Sequence, residues 1–64
     1  MMTGIYKDIK VKVWEHDRDS SKYLIELFDY DDDSVTSQKL EEAGFVEYSG
    51  HWYRGILKDE VKIL

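Results

Sequence analysis

The sequence predicts an α+β fold: a small antiparallel sheet of four strands, or five if the C-terminal segment joins it. One short helix packs on one face, in the order β-β-α-β-β. Three observations carry this reading. β-Branched residues alternate with lysines over residues 9–13, a glycine closes an acid-led segment at Gly44, and two aromatic runs flank the dipeptide Ser49-Gly50.

Residues 5–14 place Ile5, Ile9, Val11 and Val13 on odd positions, with Lys10 and Lys12 between them. Period two with β-branched side chains predicts a half-buried strand. Residues 15–21 hold no apolar side chain and are rich in turn formers. Residues 22–30 carry apolar side chains on both parities, predicting a second strand covered on both faces and paired antiparallel with the first. The run Asp31-Asp32-Asp33-Ser34 breaks the pattern. Carboxylates are stabilised near a helix N-terminus by about 0.3–1 kcal/mol each, so the acids precede a helix, with Ser34 or Asp33 as N-cap. The helix is expected from Val35 to Ala43, Leu40 and Ala43 inward. Gly44 takes the left-handed C′ position, and Phe45 at C″ reaches back to Leu40. Next, Ser49-Gly50 supplies a two-residue hairpin turn. Its register puts Tyr48 opposite His51 and Val46 opposite Tyr53 on one face, with Glu47 opposite Trp52 on the other. The end of the chain is ambiguous. Leu57, Val61 and Leu64 suit a helix, but Val61-Lys62-Ile63 alternates as a strand after a turn at residues 58–60, and a strand is preferred.

Size and composition bound what such a fold can do. The 64 residues make one domain, and a chain of ~60 residues buries only about 60% of its unfolded surface. Such a core rarely supplies more than ~3–5 kcal/mol, so a partner or homodimerisation would help it. There is no cysteine, hence no disulfide, thiolate zinc site or cysteine nucleophile. No apolar run nears the ~20 residues of a membrane span, and the N-terminus lacks a signal-type apolar stretch. A cytoplasmic protein without a membrane partner is expected.

Charge is the strongest feature. The net charge is −5, and residues 15–47 hold eleven acids against Arg18, Lys22 and Lys39, a local −8 between two mildly basic ends. The plainest reading is a solvated acidic surface that keeps a small domain soluble. A calcium loop is a second: Asp29, Asp31 and Asp33 match positions 1, 3 and 5, but Ser34 replaces the turn glycine and Leu40 the bidentate acid. No metal or cofactor is therefore expected. In the third, the acids complement a basic groove on another protein. Spaced i, i+2 along an extended second strand, Asp29, Asp31 and Asp33 would sit ~7 Å apart, as phosphates do. Direct nucleic-acid binding is opposed by the net charge and a pI near 4.8.

For catalysis, the candidate is His51, beside Trp52 and near Arg54; His16 lies in a loop. No phosphate-binding glycine loop, Ser-His-Asp set or HExxH motif occurs. The stretch Leu40-Glu41-Glu42-Ala43-Gly44-Phe45, followed by Ser49-Gly50-His51, looks locally like the HicA toxin family. In that family a helix ends in Gly-Phe and a catalytic histidine opens the strand after a Gly-containing turn. The resemblance spans about 15 residues and implies that His51 is a ribonuclease histidine. The chain departs from the family in placing two strands before the helix and in being acidic.

The sequence thus predicts a non-enzymatic protein-binding module without catalytic residues. In size and charge it resembles the small inhibitors of phages and mobile elements, among them DNA mimics and anti-CRISPR proteins. Its expected partner is a protein with a basic surface. The contact residues would be Asp29, Asp31, Asp32, Asp33, Glu41 and Glu42, with Tyr30 as an aromatic anchor. A HicA-like ribonuclease using His51 and a self-associating structural domain are the alternatives.

Overall fold

The computed structural model describes residues 1–64 and differs from the predicted fold in its sheet. Six antiparallel strands form one sheet: β1 (Met2–Tyr6), β2 (Ile9–Glu15), β3 (Lys22–Leu27), β4 (Val46–Tyr48), β5 (His51–Leu57) and β6 (Lys62–Ile63). Their spatial order is β4-β5-β3-β2-β1-β6. The only α-helix, α1 (Ser37–Glu42), is six residues long, and a 3-10 turn spans Lys58–Glu60. The expected four- or five-stranded sheet with a packed helix is therefore corrected to a six-stranded, mostly sheet domain.

The missing strand was hidden inside the first alternating run. Residues 5–14 hold the end of β1 and most of β2, joined at Lys7-Asp8, both with positive φ (48° and 65°). That is the backbone of a type I′ turn, whose usual Asn-Gly or Asp-Gly signal Lys-Asp lacks. A two-residue turn makes Tyr6 pair with Ile9 and Ile5 with Lys10. Tyr6, Ile9, Val11 and Val13 consequently share the core face, whereas Ile5 points to the other side. Tyr6 is a core residue, edge-on to Phe45 with ring centroids 6.1 Å apart.

The helix is shorter than Val35–Ala43 because Thr36, not Ser34 or Asp33, caps it, its hydroxyl accepting from the Lys39 N–H at 3.2 Å. Its ending is as predicted. The Phe45 N–H donates to the Leu40 carbonyl and the Gly44 N–H to that of Glu41, both at 3.0 Å, and Gly44 has φ +89°. These two bonds define a Schellman ending. The Ser49-Gly50 hairpin also has its predicted register, with both turn residues at positive φ. The C-terminal strand is present as β6, pairing with β1 at the opposite edge from β4.

Leu40, Ala43 and Phe45 close one sheet face over Val11, Val13, Ile25, Leu27 and Ile56. No helix or strand packs on the second face. By the pairing registers it carries Ile5 on β1, Lys10, Lys12 and Trp14 on β2, Lys22, Leu24 and Glu26 on β3, Tyr53 and Leu57 on β5, and Lys62 on β6. No helix is long and apolar enough to cross a membrane.

Candidate functional site

The uncovered face holds the one buried charged residue, Glu26, at 5% exposure. It lies in the run Leu24-Ile25-Glu26-Leu27, where sheet alternation turns it away from the core occupied by Ile25 and Leu27. Its cross-strand neighbours are Lys12 on β2 and Tyr53 on β5. Two side chains close over the carboxylate. The Tyr30 hydroxyl donates to Oε2 at 2.8 Å, and His51 Nδ1 stands 2.9 Å from the same oxygen. Tyr30 is itself fixed by the Trp52 backbone N–H, which donates to its hydroxyl oxygen at 2.9 Å. Its ring meets that of His51 edge-on at 5.3 Å, and the imidazole also stacks near Tyr53 at 6.2 Å.

Electrostatics follow from these contacts. Burial opposes ionisation of Glu26. The hydrogen bonds from His51 and Tyr30, with the charge of Lys12, outweigh it and hold the carboxyl below its ordinary range. Burial and the adjoining carboxylate push the Tyr30 phenol up to about 12, so it stays a donor through the neutral range. The His51 side chain is 53% exposed. Engaged through Nδ1, it leaves Nε2 without a hydrogen-bond partner in the protein. A half-exposed imidazole oriented by a buried carboxylate can bind, position or transfer a proton.

The predicted contact residues fall differently. β3 stops at Leu27, and residues 29–34 turn instead of extending. Asp29 accepts from the Asp31 N–H, and Asp32 from both the N–H and hydroxyl of Ser34. Those side-chain-to-backbone bonds bend the chain, so phosphate-like i, i+2 spacing along a strand is not formed. Asp31 and Asp33 are exposed, as are Glu41 and Glu42 on α1. Tyr30 is no free anchor, being bound to Glu26. Sequence reasoning missed Glu26 as a site residue; the available signal was a lone acid inside an apolar strand.

No groups of three or more His, Asp or Glu side chains gather to hold a metal, in keeping with turns that spend Asp29 and Asp32 on backbone bonds. His16 folds over Gly55 and, with Asp17, Arg18 and Leu24, lines a shallow pocket at the rim of the open face. No protein-family model, curated protein or solved structure matches the chain.

Proposed function

We propose that the protein is a binding module that occupies a basic surface of another protein, in the manner of a small inhibitor. The observation that carries this reading is the state of its carboxylates. The two ion pairs in the structure use Glu26 and Glu15, which leaves Asp29, Asp31, Asp32, Asp33, Glu41 and Glu42 exposed and without a cationic partner. Unpaired exposed acids on one continuous segment steer association with a positive groove and lose strength with salt. Asp31 and Asp33 accept no hydrogen bond, so their reversal leaves the turns intact. The immobilised chain should capture a nucleic-acid-binding protein, release it at high salt and compete with duplex DNA for it. Asp31→Lys with Asp33→Lys should abolish capture. Capture indifferent to both salt and charge reversal would refute the reading.

The Glu26–His51 pair favours a second reading, ribonuclease activity through His51. A buried carboxylate on Nδ1 orients the ring and leaves Nε2 to exchange a proton with a ribose hydroxyl. Cleavage of single-stranded RNA should then fall by a factor of about 100 or more in His51→Ala, the usual range for loss of a general acid–base. Intact RNA after prolonged incubation with the unsubstituted protein would exclude it.

A further inference from the structure

Sheet alternation sorts the charges in a way the net value conceals. The strands place four of the nine cationic residues, Lys10, Lys12, Lys22 and Lys62, on the uncovered face, against a single acid, Glu26. Glu26 is buried and already bonded to Tyr30 and His51. The remaining acids lie in turns, on the helix, or on strand positions facing the other way. Beside the lysines lie partly buried aromatic rings: Trp14 follows Lys12 on β2, Phe28 sits beside Lys10, and Tyr53 on β5 stands across Glu26 from Lys12. Lys10 lies 4.3 Å from the Phe28 ring centroid.

We infer that this face binds single-stranded nucleic acid, with Lys10, Lys12 and Lys62 on the phosphates and Trp14 stacked on a base. Lys10 and Lys12 stand i, i+2 on one strand, ~7 Å apart. Lys62 is reached from Lys10 across Ile5, two strand spacings or ~10 Å away. Cationic spacing of this order tracks a phosphate backbone, and a partly exposed indole next to Lys12 offers a stacking surface for a base of any sequence. A duplex hides its base faces, so a stacking contact with Trp14 favours a single strand. A second copy of the chain is a poorer occupant, because face-to-face packing would set lysines against lysines with the only acid already engaged. The net charge of −5 opposes binding most at low salt. At about 0.1 M salt the Debye length is about 10 Å, so carboxylates farther than that from the lysines are largely screened. The inference does not rest on the acidic-surface reading, which uses other residues.

Fluorescence anisotropy with labelled oligo-dT and oligo-U, each of about 12 nucleotides, tests it, alongside a duplex of equal length. Single strands should bind and the duplex more weakly, with a log–log salt slope near −2 for three neutralised phosphates. Lys10→Glu with Lys62→Glu, both at exposed positions, should weaken binding at least tenfold while circular dichroism stays unchanged. The two tryptophans supply an internal control. Trp14 lies on the open face and Trp52 packs against the core, so binding should quench emission in Trp52→Phe and leave it unchanged in Trp14→Phe. No binding at about 100 µM protein would overturn the inference, since even weak non-specific complexes form by then. Affinity insensitive to the lysine reversals would overturn it too, as would a face found closed by a homodimer in sedimentation. The salt slope and quenching of the unsubstituted protein decide the matter even if the double variant fails to fold.

Discussion

Gly44→Ala is expected to lower the thermal midpoint by roughly 10–20 °C, an effect of about 2–3 kcal/mol in a domain this small. Two costs add. The residue holds φ +89°, where a Cβ is strained by about 1–2 kcal/mol. The added methyl would also occupy the place of the Arg54 guanidinium, which donates to the Ala43 carbonyl and lies 5.7 Å from the centroid of Tyr6. Arginine can swing away, but it then forfeits a hydrogen bond worth about 1 kcal/mol and uncovers the end of the core. Gly50 is the control. Its φ is +82°, yet a Cβ there meets nothing within 4 Å, so Gly50→Ala should cost only the backbone part, about 1 kcal/mol. Equal losses at the two glycines, measured by thermal or urea unfolding, would show that the Arg54 contact contributes nothing.

Glu26→Ala is the second large effect, expected at about 2–3 kcal/mol near neutral pH. The substitution removes the acceptor of two hydrogen bonds, each worth about 1.5–3 kcal/mol when one partner is charged. Part is regained because the carboxylate no longer has to be desolvated, and because water can replace it at the half-exposed His51 ring. The loss should depend on pH. The folded-state pKa lies below the ordinary value of 4.5, so the stabilisation is present above pH 4.5 and fades as pH falls through the folded-state value. Chemical denaturation from pH 7 down to about pH 3 should therefore show the parent protein converging on Glu26→Ala. Glu26→Gln, which keeps the shape and one acceptor, should lose less and show a flatter acid limb. A stability gap constant with pH would mean that the charge of Glu26 contributes nothing and that only its packing matters.

Much of the local structure was legible in the order of residues, because it depends on neighbours in the chain. The Gly44 ending follows from one permissive residue next to an apolar one, and the 46–53 hairpin from a glycine turn between paired aromatic runs. The first hairpin was not legible. Lys7-Asp8 lacks the usual turn composition, and the odd-numbered apolar positions run straight through it, although Ile5 and Ile9 end on opposite faces. The helix start was displaced for a similar reason: the acids before it find backbone partners in tight turns, leaving Thr36 to cap.

The site shows the same division. His51 was visible as the residue after Ser49-Gly50, but its partner lies 25 positions away on β3 and Tyr30 comes from the following turn. Only strand pairing brings the three together, and only burial by Tyr30 and His51 makes Glu26 unlike the other acids.

Residue order alone established an acidic, cysteine-free chain of net charge −5 and predicted the glycine ending of its helix and the register of the 46–53 hairpin. Which surface bears which charge was left to the tertiary structure. A residue's face depends on the register of a pairing set by turns and distant strands, and a shift of one position inverts it. Here that register places Lys10, Lys12, Lys22 and Lys62 together on an open aromatic face of an otherwise acidic molecule.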